Sequence, residues 1–87
     1  MKIDKNISKH KKYIRNSNKR LRRLIKICRS ESMLNRIYYE SLRIHRVYKT
    51  NKARGLITLS SDEFKKTVRA INNKAKRLGV NRRWRSN

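Results

Sequence analysis

Residues 64–79, "FKKTVRAINNKAKRLG", place apolar side chains in a regular helical rhythm. The apolar positions recur at steps of four, three, four and three: Phe64, Val68, Ile71, Ala75 and Leu78. This spacing aligns them on one face of an α-helix. Gly79 follows at a position typical of a C-terminal cap, so the stretch predicts an amphipathic helix that ends at residue 78.

The residues before this stretch predict where the helix begins. Ser60 is followed three residues later by Glu63, the pattern of a capping box. Asp62 and Glu63 also suit the positive N-terminus of a helix. Upstream, Asn51 and Gly55 are natural stop residues for a preceding helix. The third helix is therefore expected from about residue 61.

Two earlier segments also have helical periodicity. The first has a narrow apolar stripe in an otherwise cationic or polar run: Ile14, Leu21, Leu24, Ile25 and Cys28. The second is the most apolar of the three, with inner positions at three- and four-residue steps: Leu34, Ile37, Tyr38, Ser41, Ile44, His45 and Tyr48. Between them, the "SES" at residues 30–32 supplies residues that cap a helix.

The predicted fold class is all-α, an antiparallel three-helix bundle with a long basic first helix and a short basic C-terminal tail. Its helices cover roughly 8–29, 32–50 and 61–78, within a domain of residues 1–79, and residues 80–87 form the tail. Short connections make neighbouring helices antiparallel. The middle segment carries the least net charge, so we expect it to be the interior spine of the bundle. The more strongly charged helices 1 and 3 would then be the outer helices that contact a polyanionic binding partner.

The chain carries 27 Lys and Arg against 5 Asp and Glu, a formal net charge of +22 on 87 residues. Self-repulsion on this scale opposes a compact state unless a polyanion neutralises it. No apolar run approaches the roughly 20 residues of a membrane-spanning helix, and the first residues lack the apolar core of a secretory signal. The acid-poor start also suits a mitochondrial transit peptide, but the basic pattern continues throughout. We therefore expect a nucleic-acid partner and no membrane.

Side chains that carry chemistry are few and scattered. Asp62 and Glu63 are neighbouring acids, and capping explains them. His10 and His45 have no companions at metal-ligand spacing. Cys28 lies on the apolar stripe, where it is most simply a small core residue. The sequence predicts no enzyme, cofactor, metal or small-molecule substrate.

The basic residues form the strongest pattern. An ordinary solvated helix face mixes charges of both signs, but the first helix is almost purely cationic. Lys and Arg that reach different phosphates release counterions, and Arg adds bidentate contacts. The predicted nucleic-acid-binding residues are Asn6, Lys9, Lys11, Lys12, Arg15, Asn16, Lys19, Arg20, Arg22, Arg23, Lys26, Lys65, Lys66, Arg69, Arg82, Arg83, Trp84 and Arg85.

Several polar residues and the single tryptophan each have two possible roles. Interleaved polar residues are suitable donors to phosphate and ribose oxygens, although turn-forming residues would look the same: Asn6, Asn16, Ser17 and Asn18. Trp84 lies among arginines, where it either stacks on an exposed base or pins the tail to the helices. The sequence does not decide between these roles.

Residues 6–22, "NISKHKKYIRNSNKRLR", resemble the N-terminal signature of the bacterial-type small-subunit ribosomal protein twenty family. Matching residue types occupy Asn6, Ile7, Lys11, Lys12, Ile14, Arg15, Lys19, Arg20 and Arg22. "LRRLIKICR" at 21–29 continues the likeness, and "KARGLI" at 52–57 is similar to the joint before that family's last helix. Residues 58–67, "TLSSDEFKKT", depart from it, with two acids where bases are expected.

This resemblance implies a three-helix bundle that binds small-subunit rRNA early in ribosome assembly through its long first helix. The expected location is the ribosome, in the bacterial cytoplasm or in the matrix or stroma of an organelle, with neighbouring ribosomal proteins as further partners. "LSSDEFKKTVRAI" at 59–71 is also similar to the final helix of small-subunit ribosomal protein eighteen, but the strand motif that precedes it there is missing.

Two other classes of function remain open. Three short basic helices also suit a small DNA-binding or DNA-compacting protein, which would prefer duplex DNA. A cationic membrane-active peptide would fold on anionic vesicles, but the apolar stripe of the first helix is thin for insertion.

Overall fold

Three α-helices follow one another: α1 (Lys2–Ile27), α2 (Glu31–Thr50) and α3 (Arg54–Leu78). The computed structural model describes residues 2–50 and 54–86, with side chains over 8–49 and 55–86. Within those ranges the regular structure is entirely helical and the helices pack on one another. The prediction of an all-α three-helix bundle is confirmed.

Contacts between α1 and α2 give their relative direction. Near the start of α1, His10 Nδ1 lies 2.9 Å from the hydroxyl of Tyr48, near the end of α2. Further along α1, Asn18 accepts a hydrogen bond from Ser41, which lies earlier in α2. The two helices are therefore antiparallel, as predicted. The expectation that α2 is the spine is wrong, because α3 packs extensively against both other helices while α1 and α2 touch each other less.

The connection between α1 and α2 is short and capped. α1 ends at Ile27, so Cys28 and Arg29 lie in the connection and not in the helix that was expected to reach residue 29. The hydroxyl of Ser30 accepts a hydrogen bond from the backbone N–H of Met33 at 3.3 Å. This is the geometry of an N-cap. The capping role expected for the "SES" segment is confirmed at Ser30.

The end of α3 also follows the prediction. Gly79 has a φ of 75°, the left-handed conformation that glycine adopts without strain. The N–H of Gly79 donates to the carbonyl of Lys76, and the N–H of Val80 donates to that of Ala75. This pair of bonds is a Schellman motif.

The start of α3 differs from the prediction. The helix begins at Arg54 instead of near residue 61, so Gly55 lies inside it and Ser60 is not an N-cap. Ser60 and Glu63 are instead both buried side chains of the inner face. The apolar stripe continues upstream to Leu56, which is buried. Burial of one leucine contributes about 1.5–3 kcal/mol, more than the roughly 1 kcal/mol that a helical glycine costs.

The core runs the length of the bundle. Its buried apolar side chains are Ile14, Leu21, Ile25, Cys28, Leu34, Ile37, Ile44, Tyr48, Leu56, Phe64, Val68, Ile71, Ala75 and Trp84. Two residues expected on the apolar stripes, Leu24 and Leu78, are instead exposed. Both lie at the edge of their helix faces near the same end of the bundle, where no fourth helix covers them.

A buried polar contact joins all three helices, and we call it the polar junction. Asn18 of α1 accepts hydrogen bonds through Oδ1 from Ser41 of α2 at 3.0 Å and from Thr67 of α3 at 2.8 Å. Its Nδ2 donates to the carbonyl of Ile14 at 2.9 Å. Asn18 is therefore a core residue, and the reading of it as a donor to RNA is wrong.

An ion pair extends this contact towards the surface. Arg22 Nη1 donates to Glu63 Oε2 at 3.0 Å and to Thr67 Oγ1 at 3.3 Å. Glu63 was expected to cap α3, but here its carboxylate ties α3 to α1. Within the described side chains, every buried polar atom has a partner.

Candidate nucleic-acid interface

The outward side of α1 is a continuous cationic surface, which we call the α1 face. Its members are all exposed: Lys9, Lys11, Lys12, Arg15, Asn16, Lys19, Arg20, Arg23 and Lys26. Each was predicted from the sequence, and the fold keeps each on the surface because the inner face of the helix is occupied by the apolar stripe. Within the described side chains, no member of the α1 face forms an ion pair.

Two other residues predicted on the first helix stand apart from the α1 face. Arg22 is held by Glu63 and Thr67 between α1 and α3, with 26% of its side chain exposed. Its guanidinium is already bound to Glu63 and Thr67, so it is less available to phosphate than the cations of the α1 face. The side chain of Asn6 lies outside the described residues.

A second cationic surface lies between α3 and the tail, and we call it the tail groove. It has a volume of about 830 Å³. The residues that line it are Lys65, Val68, Arg69, Asn72, Asn73, Lys76, Val80, Asn81, Arg82, Arg83, Trp84, Arg85 and Ser86. Six of these are Lys or Arg and none is acidic. No residue of α1 contributes, so the groove is separate from the α1 face.

The structure gathers most of the predicted C-terminal residues into this groove. Lys66 is the exception, since it is exposed on another side of α3. Sequence reasoning missed Lys76 as a binding residue, although a signal was available. Positions 65, 69, 72 and 76 follow at steps of four, three and four, so Lys76 shares a helix face with Lys65 and Arg69.

The tail is held against the bundle by its backbone. The N–H of Trp84 donates to Asn72 Oδ1 at 2.8 Å, and Asn72 Nδ2 donates to the carbonyl of Trp84 at 2.9 Å. From α2, the hydroxyl of Tyr38 donates to the carbonyl of Arg85 at 2.9 Å. We call these contacts the tail clasp. They attach the tail to both α2 and α3.

The indole of Trp84 is part of this attachment. Only 4% of the residue is exposed, and its Nε1 donates to Asn35 Oδ1 at 3.1 Å. The guanidinium of Arg82 lies 5.0 Å from the ring centre, while the same side chain pairs with Glu31 at 3.3 Å. The sequence left two roles open for Trp84, base stacking and attachment of the tail. In the structure Trp84 attaches the tail to the helices. Its ring has no face free for an RNA base.

His45 adds no positive charge to these surfaces. The ring of His45 stacks on Phe64 at 4.8 Å between centres, and its Nδ1 lies 3.1 Å from Ser60 Oγ. Burial, and secondarily the charge of Lys49, lowers the pKa of His45 below its ordinary range. The imidazole is therefore neutral at pH 7, and the positive surfaces consist of Lys and Arg.

Among the described side chains, at residues 8–49 and 55–86, no group of three or more His, Cys, Asp or Glu could hold a metal ion. None of the described helices is long and apolar enough to cross a membrane. Burial raises the pKa of the Cys28 thiol, against the opposing charge of Lys74, so its reactive thiolate form is disfavoured.

Comparison of the chain with protein-family models, with curated proteins and with solved structures finds no match in any of the three.

Proposed function

We propose that this protein is a structural RNA-binding protein of a bacterial-type small ribosomal subunit, which stabilises the fold of the small-subunit rRNA during assembly. The α1 face is the observation that carries the proposal, because it presents a long series of exposed Lys and Arg that form no ion pair among the described side chains. The choice of small-subunit rRNA among polyanions rests on the resemblance of residues 6–22 to ribosomal protein twenty.

The mechanism is neutralisation by a rigid surface. The polar junction and the Arg22–Glu63 pair fix the register of α1 against the other two helices. The cations of the α1 face then approach several phosphates together and release their counterions. Phosphate contacts position a protein on a nucleic acid but carry no base sequence, so the protein recognises the shape of the folded RNA.

This mechanism makes a quantitative prediction about salt. If about eight phosphates are contacted, the affinity for structured rRNA falls by about a thousandfold or more between 50 and 200 mM salt. The measurement is a titration of the purified protein with small-subunit rRNA fragments at four salt concentrations. An affinity that hardly changes with salt contradicts neutralisation.

A variant pair tests the surface itself. The triple substitution K11A/K12A/R15A removes three charges from the α1 face and should weaken RNA binding at least tenfold. The control R36A/R46A/K49A removes the same charge from exposed positions of α2, and it should change the affinity much less. Equal losses in the two variants would show that only net charge matters and that α1 is not the interface.

The ribosomal assignment is tested in the cell. Crosslinking of the protein to RNA in native extract, followed by sequencing, should recover small-subunit rRNA, and the protein should sediment with the small subunit. Crosslinks spread over many transcripts would refute the assignment. Association with chromatin instead would favour the DNA-binding alternative.

A further inference from the structure

We propose that the tail groove is a second binding site, which holds one single strand of RNA by its phosphates and without base stacking. This inference rests on the proposed function for the identity of the polyanion. To that function it adds a site separate from the α1 face. It also specifies that this site accepts single-stranded RNA and holds it by phosphate contacts.

The charge of the groove selects a polyanion. Of its six cationic residues, only Arg82 has a carboxylate partner among the described side chains, namely Glu31. Arg83, Arg85 and Lys76 are exposed and make no ion pair there. Guanidinium groups match phosphate oxygens in bidentate geometry. The groove therefore concentrates positive charge that the protein itself does not neutralise.

The form of the groove favours a single strand over a duplex. One wall is α3 from Lys65 to Lys76, a length of about 17 Å at 1.5 Å per residue. The other wall is the tail, a single stretch of backbone without regular structure. A cationic groove that tracks one phosphodiester backbone is the form used by proteins that bind single strands. The amides of Asn73 and Asn81 on its lining can donate to phosphate or ribose oxygens.

The site is formed before the ligand arrives. A free basic tail would lose backbone conformational entropy on binding, which would weaken the affinity. Here the tail clasp already fixes the backbone of Trp84 and Arg85. Asn72 acts as a positioning residue, because its Oδ1 and its Nδ2 each form a hydrogen bond with the backbone of Trp84.

The same clasp excludes base stacking. Trp84 is the aromatic residue of the groove lining, and 4% exposure leaves it inaccessible to a base. Proteins that bind single strands by stacking expose such rings. The groove should therefore bind different base sequences with similar affinity.

The test counts short single strands bound to the full chain. A uridine hexamer is added in excess to the full chain, and native mass spectrometry reports the number bound. Wild type should bind two hexamers. The groove variant K76Q/R83Q/R85Q and the α1 variant K11A/K12A/R15A should each bind one, while R36Q/R46Q/K49Q should still bind two.

These outcomes separate the two proposals. If wild type binds one hexamer and only the α1 variant loses it, the groove proposal is overturned and the proposed function stands. If neither variant loses a hexamer relative to the α2 control, the proposed function fails as well. Displacement of the hexamer from the α1 variant by an oligoglutamate of equal charge, at equal concentration, would show that the groove takes acidic protein instead of RNA.

Trp84 is the single tryptophan of the chain, so its fluorescence tests the mode of binding. Titration of the α1 variant with the hexamer should leave the emission maximum at the wavelength of a buried indole, with little quenching. Strong quenching would mean that a base reaches the ring and would overturn binding without stacking.

In N72A the emission should shift to longer wavelength as the tail detaches, and the hexamer affinity of the groove should fall at least tenfold. Tail release without loss of affinity would refute the positioning role.

Discussion

Asn16 and Asn18 lie two residues apart in "RNSN" at 15–18, and the structure separates their roles completely. Asn16 is exposed on the α1 face, whereas Asn18 is 1% exposed at the polar junction. Composition cannot distinguish them, but spacing can. Asn18 continues the stripe of Ile14 and Leu21 at steps of four and three, so its position predicted burial although its chemistry did not.

Removal of Asn18 should destabilise the fold. In N18A the hydroxyls of Ser41 and Thr67 lose their acceptor in the core, and an unsatisfied buried polar group costs about 1–3 kcal/mol. N16A is the matched control, because surface substitutions usually change stability by less than about 0.5 kcal/mol. Urea unfolding followed by circular dichroism measures both. If N18A is as stable as N16A, the polar junction does not fix the packing of the three helices.

Among the elements, α3 shows best what local sequence can predict. Its end was predictable because the left-handed Gly79 and the final apolar positions are local signals. Its beginning was not, because "SSDE" at 60–63 has the pattern of a capping box while burial continues upstream to Leu56. Ser60 and Glu63 find their partners on other helices, His45 and Arg22. Tertiary contacts of this kind outweigh a local capping pattern.

The two glycines of α3 should respond in opposite directions to the same substitution. A Cβ at either Gly55 or Gly79 would meet no atom within 4 Å, so steric clash does not distinguish them. G55A should stabilise the protein by about 0.5 kcal/mol, because alanine reduces the entropy of the unfolded chain and favours helix. G79A should destabilise it by about 1–2 kcal/mol, because a φ of 75° strains any residue with a Cβ.

Thermal unfolding of the two variants beside wild type measures this difference. A lower melting temperature in G55A would place Gly55 in a turn, as the stop signal in the sequence predicted, and not in the first turn of α3. An unchanged melting temperature in G79A would mean that the Schellman motif does not set the direction of the tail.

The tail is the element that sequence reasoning described least well. Its basic residues and its single tryptophan were noted, but its path depends on partners far away in the chain. Trp84 meets Asn35, and Arg85 meets Tyr38, at separations of 49 and 47 residues. No local pattern encodes such pairings, so the tail groove could not be predicted before the fold was known.

At the scale of the whole molecule, charge and shape act together. The bundle is elongated, with extents of 50 × 22 × 15 Å, and carries a formal charge of +22. Only three ion pairs form among the described side chains. The elongated form spreads the cations over a larger surface than a sphere would, but it also leaves a thin core. The net charge can be counted from the composition alone. The division of the cations between the α1 face and the tail groove cannot be predicted in that way, because it depends on how α3 packs against the other elements.

The repulsion among these cations and their neutralisation by RNA predict opposite effects of salt on the free protein and on its complex. In the free protein, salt screens repulsion between cations, since the Debye length falls from about 10 Å at 0.1 M to about 3 Å at 1 M. The melting temperature should therefore rise with added NaCl. With RNA at about one hundred times its dissociation constant, binding adds about 2.7 kcal/mol of stability at low salt, and this gain should shrink as salt weakens the affinity. The two melting curves, followed by circular dichroism, should converge at high salt. A melting temperature of the free protein that falls with salt would mean that its few ion pairs outweigh the repulsion, and that the fold does not depend on a polyanion to relieve its charge.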